Sequence, residues 1–139
     1  MNPPSGYHTV TPYVVTTNAR QFVDFAMAAF DATETEYVTD DKGRVIHAEI
    51  RIADSVIMLT EGNETYTPSI ASFYLYVPDT DAVYGQAIAA GGVSTMEPAD
   101  QFYGDRSGGV KDPLGNYWWI ATRVETLTSK EIEERMEQR

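Results

Sequence analysis

The 139-residue chain has length for one domain with a core of its own, and its 42% hydrophobic and 22% charged content is that of an ordinary globular protein. A formal charge of −11 argues against nucleic acid as a partner, because phosphate neutralisation needs clustered Lys and Arg. The absence of cysteine excludes disulfides, thiolate metal sites and a cysteine nucleophile.

No apolar run approaches the roughly 20 residues that cross a bilayer, so no membrane partner is expected. In MNPPSGYH no positive region leads into an apolar one; without a signal peptide, a cytoplasmic location is the default expectation.

Tyr7 to Val15 alternates as a strand, with Pro12, which lacks an N–H, marking an edge or bulge. Asn18, followed three residues on by Gln21, opens a helix whose Phe22, Phe25, Ala26, Ala29 and Phe30 make one apolar stripe. Glu34 to Thr39 reads as a strand and Asp40-Asp41-Lys42-Gly43 as a hairpin turn. Arg44 to Ile52 alternates most cleanly: Ile46, Ala48, Ile50 and Ile52 form an apolar face, and Val45, His47, Glu49 and Arg51 the other. Ala53-Asp54 turns the chain into a fourth strand, Ser55 to Thr60. Residues 61–70, EGNETYTPSI, are a polar linker.

The pattern then restarts. Ala71 to Val77 is a strand, Asp79 or Thr80 caps a helix, and Gly91-Gly92 ends it. Val93 to Glu97 is a short strand, followed by a polar loop, Gln101 to Arg106, and a glycine-rich strand. Asp112-Pro113-Leu114-Gly115 carries the type I turn signature, Pro second and Gly fourth, and opens onto the aromatic strand Asn116 to Thr122. Tyr117, Trp118 and Trp119 read equally as core there, and Arg106 as a solvated charge. In residues 126–139, Thr128 and Glu131 form a capping box before a charged helix anchored only by Ile132 and Met136, a weakly docked tail.

The restart has a fixed offset. Tyr13 and Tyr74, Phe22 and Val83, Ala26 and Ala87, Met27 and Ile88, and Met58 and Trp119 each lie 61 residues apart. First strands, helix stripes and last strands superpose without a gap. The expected fold is therefore α+β, two tandem β-α-β-β-β modules (7–61 and 71–123) in one domain over residues 1–125, each with a sheet face left free to form a pocket.

With this repeat, and with the strings RVIHAEIRIADSVIML and ADQFYGDRSGGVKDPLGNYWWIATRVE, the chain resembles the vicinal oxygen chelate superfamily of glyoxalase I, bleomycin-resistance proteins and extradiol dioxygenases. More narrowly, the two strings are similar to its PhnB-like branch. The resemblance covers residues 7 to 125 and implies curved mixed sheets around a cleft commonly completed in a homodimer. It also implies a metal held by residues of the first and last strands of each module. Those positions map to Thr11, Met58, Ser72 and Trp119. Thr and Ser are poor ligands, Met is soft and Trp offers no lone pair, so no metal and no cofactor are expected there.

Other groups remain for the cleft. His47 and Glu49 share a strand face, about 6.6 Å apart along the backbone at ~3.3 Å per residue, and point away from the helix. They could act as a general base with its orienting carboxylate, or hold a ligand; a solvated pair or a salt bridge of Glu49 to Arg51 or Arg106 is the plain alternative. His8, at a strand start, reads as a surface residue. Gln101, Tyr103, Asp105 and Arg106 could rim the cleft, and Tyr13, Tyr74, Tyr76 and Trp119 would make it aromatic, suited to a flat or cationic small molecule. The expected function is metal-independent binding of a small organic ligand in a homodimer. The rivals are a lyase or isomerase acting on a carbonyl compound through His47 and Glu49, and a scaffold with a vestigial cleft.

Overall fold

The computed structural model describes residues 2–139. In chain order the elements are β1 (Tyr13–Thr16), α1 (Ala19–Phe30), β2 (Thr33–Thr39), β3 (Val45–Ile52), β4 (Ser55–Glu61), β5 (Ser72–Tyr76), α2 (Thr80–Ala89), β6 (Val93–Asp100), β7 (Asp105–Lys111), β8 (Tyr117–Arg123) and α3 (Ser129–Glu137). Two four-stranded sheets result, sheet A in the order β1-β4-β3-β2 and sheet B in the order β5-β8-β7-β6. In each, the first strand runs parallel to the last and the remaining pairs are antiparallel. The repeat extends to the register: Tyr13 pairs with Met58, and Tyr74 with Trp119.

Local chemistry explains the boundaries. Asn18 accepts from the Gln21 N–H and Asp79 from the Ala82 N–H, each satisfying one of the unpaired donors at a helix start. Asp40 accepts from the N–H groups of Lys42 and Arg44, closing the β2–β3 hairpin. Thr128 and Glu131 complete the capping box of α3, which buries no residue and is tied back by the ion pair of Arg135 with Glu125.

Three expectations change. Residues 7–12 are not a strand: Pro12 cannot donate to a ladder, and the segment crosses sheet A, held by Arg51 donating to the Gly6 carbonyl. The β3 face is reset by a bulge: Val38 pairs with His47 but Thr39 with Val45, so Ile46 is skipped, leaving it exposed and Val45 in the core. β6 continues to Asp100, three residues past Glu97, because it pairs along β7.

The core lies between the sheets. The stripe of α1 buries Phe22, Phe25, Ala26, Ala29 and Phe30 against Val14, Ala48, Ile50, Ile57 and Leu59 of sheet A, and against sheet B through Trp118. Trp118 is wholly buried, its ring centroid 4.3 Å from that of Phe73 and 4.7 Å from that of Phe30. Its indole N–H donates to Asp112 at 2.9 Å. The same carboxylate accepts from the N–H groups of Leu114 and Asn116 and from the Asn116 amide, whose oxygen in turn accepts from the Ala71 N–H. Gly115, at φ 91°, closes this turn.

Asp112 thus joins the turn, β8 and the central aromatic cluster. Asp112→Ala should lower the unfolding free energy by about 3 kcal/mol, read from urea denaturation, because several buried donors lose their acceptor together. Asp41→Ala, on the exposed hairpin, should change it by less than about 0.5 kcal/mol.

Candidate functional site

Because α1 and α2 fill the space between the sheets, each sheet has one covered face and one open face. On sheet A the open face carries Tyr13, Met58, His47 and Glu49, with Glu36 and Val38 from β2. On sheet B it carries Ser72, Tyr74, Tyr76, Tyr117, Trp119 and Arg123, with Asp105, Ser107 and Gly109 opposite them on β7. Tyr13, Tyr74 and Tyr76 are 56%, 45% and 59% exposed, unusual for such large rings.

Glu49 organises the open face of sheet A. It is only 4% exposed, yet each of its oxygens has one donor: the Tyr7 hydroxyl donates to one and His47 Nε2 to the other at 2.6 Å. Desolvation works to raise the carboxyl's pKa, and the hydrogen bonds from Tyr7 and His47 outweigh it, holding the group below the usual carboxylate range. The bond to Glu49 likewise raises the Tyr7 phenol. Tyr13 lies beside His47, ring centroids 6.2 Å apart.

Sheet B has a second buried carboxylate. Asp105, 2% exposed, accepts from Tyr74 at 2.7 Å, Tyr76 at 3.1 Å and Arg123 at 2.6 Å. Desolvation again opposes ionisation, but these donors prevail and its pKa is lowered, while burial and Asp105 push the Tyr74 phenol well up. Arg123 also lies over the Tyr76 ring. The indole of Trp119 is set by Gly109: a Cβ there would come within 2.7 Å of the ring, so the glycine-rich strand provides the bed for this side chain.

The predicted residues therefore divide. His47 and Glu49 are joined on sheet A with Tyr13 and Met58; Tyr74 and Trp119 pair on sheet B, where Tyr103 hydrogen-bonds Ser107. Gln101 donates to the Met96 sulfur and to the Ala99 carbonyl at the edge of that sheet. Arg106 stands apart: its register partner is Thr122 on the helix side of β7, and it binds Asp81 of α2 and Asp100. Arg123, Tyr7 and Glu36 complete the clusters without having been singled out from sequence. The alternation of β8 could have identified Arg123; nothing local marks Tyr7 as a partner of a residue 42 positions away.

Thr11, Ser72 and Tyr74 meet in a mostly apolar groove of about 980 Å³ between the modules, floored by Phe30, Phe73 and Trp118. The four positions where the superfamily's metal would sit do not form a donor set, and Thr11 stands before β1 instead of on the first strand as expected. Met58 stands beside Tyr13, and Trp119 beside Tyr74 over Gly109, so carbon and a thioether occupy those positions on the open faces. Among the described residues, Glu36, His47 and Glu49 bring possible ligand atoms within 4.8 Å of one another.

Comparisons with known proteins agree with this architecture. A family model described as the Glyoxalase/Bleomycin resistance protein/Dioxygenase superfamily matches residues 7–120. The protein Mb0911c of Mycobacterium bovis is 33% identical, with 91% of each chain covered. The crystal structure of TioX from Micromonospora sp. ML1 superposes with a TM-score of 0.68 at 20% identity, over 87% of this chain and all of that one. TnmS3, described as an antibiotic binding protein from Streptomyces sp. CB03234, gives 0.66 at 20% identity, over 84% and 95%.

The depressed Glu49 pKa has a consequence for acid stability. Its stabilising contribution is complete above the unfolded-state value, about 4.3, and is lost as pH falls through the lower folded value. Glu49→Gln should therefore flatten the acid limb of a plot of urea midpoint against pH, whereas an unchanged limb would assign it to other carboxylates such as Asp105.

Proposed function

As the chain belongs to the Glyoxalase/Bleomycin resistance protein/Dioxygenase superfamily, we propose that it binds a small organic molecule against the aromatic open face of sheet B, in a homodimer whose second copy covers that face. Within the superfamily, the two strings compared above support its placement in the PhnB-like branch. The observation that carries the reading is the exposure of Tyr74 and Tyr76 beside Trp119 on a face that no element among the described residues covers. Aromatic rings give area and π-faces to a flat or cationic ligand, and the chain's excess acid favours positive charge. TnmS3, whose description names antibiotic binding, has the same fold and makes this class of ligand reasonable. Thr11, Met58, Ser72 and Trp119 hold no metal in this scheme. Binding rests on contact area over the rings, of which Tyr74 and Tyr76 are held in place by Asp105, not on ligation by those positions.

A ligand seated on Trp119 quenches or shifts its fluorescence; Trp118, fully buried, responds less. A titration with cationic aromatic compounds should show saturable quenching, and Trp119→Ala should weaken binding at least tenfold with little change in unfolding midpoint. Saturable binding that survives Trp119→Ala would move the site elsewhere. Sedimentation should give a dimer; a monomer that still binds would dispose of the requirement for a second copy.

A second reading has its own support. His47 Nε2 at 2.6 Å from a buried carboxylate is the arrangement of an oriented base, suited to moving a proton next to a carbonyl in a lyase or isomerase. Under this reading, any turnover of α-ketoaldehyde adducts should disappear in His47→Ala while binding of the aromatic ligands persists. Turnover equal to wild type in that variant would remove His47 from the chemistry.

A further inference from the structure

We propose that Glu36, His47 and Glu49 form a divalent-cation site on the open face of sheet A, with a donor set different from the four positions of the superfamily's metal, of which Met58 is the register partner of Glu49. The inference does not depend on the organic-ligand reading.

The first observation is a distortion of the β2–β3 ladder. Glu34 pairs with Ile50 and Glu36 with Glu49, so Thr35 is skipped as a bulge and instead donates its hydroxyl to the Glu49 carbonyl. Regular pairing would set Thr35 opposite Glu49. The bulge brings Glu36 there, on the same face as His47 and Glu49. Like charges directly opposed across a ladder are destabilising, and Glu49 is too buried for water to screen the pair well.

The second observation is that, among the described residues, neither Glu36 nor Glu49 has an Arg or Lys partner in an ion pair. Arg51 donates to the Gly6 carbonyl, and Arg20 pairs with Asp24 and Glu34 over the Tyr37 ring. A proton on His47 addresses one oxygen of Glu49 but leaves Glu36 without a partner of its own. A divalent ion would balance both carboxylates.

The geometry is close to what such an ion needs. Ligand atoms held 2.0–2.2 Å from one metal stand about 3 Å apart. His47 Nε2 and Glu49 Oε2 are 2.6 Å apart, and the full set falls within 4.8 Å. Glu49 is fixed by Tyr7, which acts as an outer partner orienting a ligand, while exposed Glu36 is free to swing inward. One imidazole with two carboxylates suits zinc, cobalt or manganese rather than calcium, and leaves positions open toward solvent.

The test uses untagged protein stripped with chelator, titrated by calorimetry with zinc and by visible absorption with cobalt. Wild type should bind one ion per chain. Glu36→Gln and His47→Ala should each weaken binding at least tenfold, and His8→Ala, whose ring contacts the Asp54 carbonyl, should leave it unchanged. Without metal, Glu36→Gln should be as stable as wild type or more so, since it removes a carboxylate facing Glu49. No saturable binding in wild type, unchanged affinity in Glu36→Gln, or loss of binding in His8→Ala would each overturn the site. A stripped Glu36→Gln variant less stable than stripped wild type would show that Glu36 serves the fold instead. The aromatic-ligand titration run in chelator reads the other proposal separately.

Discussion

The arrangement depends on Trp118 and on the single carboxylate that allows a polar indole nitrogen into the middle of an apolar core. Trp118 contacts the α1 aromatics from sheet B, so one side chain joins the two modules. An indole N–H buried without an acceptor costs on the order of 1–3 kcal/mol, and Asp112 supplies that acceptor while it also closes the turn before β8. With α1 and α2 committed to the interior, neither can cover the far side of a sheet. The open faces follow from where the helices pack.

Once the faces are open, the fold's two modules diverge. Both retain the pairing of a first strand with a last strand at matching positions, Tyr13 with Met58 and Tyr74 with Trp119. Sheet A places a histidine and two glutamates on that face; sheet B places a ring system and one carboxylate locked by Tyr74, Tyr76 and Arg123. A buried Asp satisfied by an arginine and two phenols is a closed network with little capacity for another cation. Glu49 with Glu36 opposite is an open one. The same scaffold therefore offers a surface for contact on one module and a concentration of charge on the other.

The elements were legible because their signals are local. Asn18, Asp79 and Thr128 cap helices by short-range hydrogen bonds, and the 61-residue offset fixed which strands correspond before any pairing was known. The site was less legible because its determinants are register and distant contact. Strict alternation put Ile46 inside and Val45 outside; the bulge exchanges them, and no residue type announces it. Arg106 looked like a cleft residue by position in the loop, but β7 begins one residue earlier and its alternation turns Arg106 toward α2 and Asp105 onto the open face. Tyr7 lay in a segment read as a strand, which would have denied it the path across sheet A to Glu49.

These departures share a cause. A regular strand repeats its neighbours' geometry and can present only what alternation dictates, so side chains meant to converge need a local break in the ladder. In this chain the Thr35 bulge turns Glu36 toward Glu49, and Gly109 gives up a side chain so that the Trp119 ring can lie flat against the sheet. The N-terminal segment leaves the ladder at Pro12 and thereby delivers Tyr7. Each break weakens local pairing or packing, and each falls on an open face and not on the helix side, where the core would penalise it most.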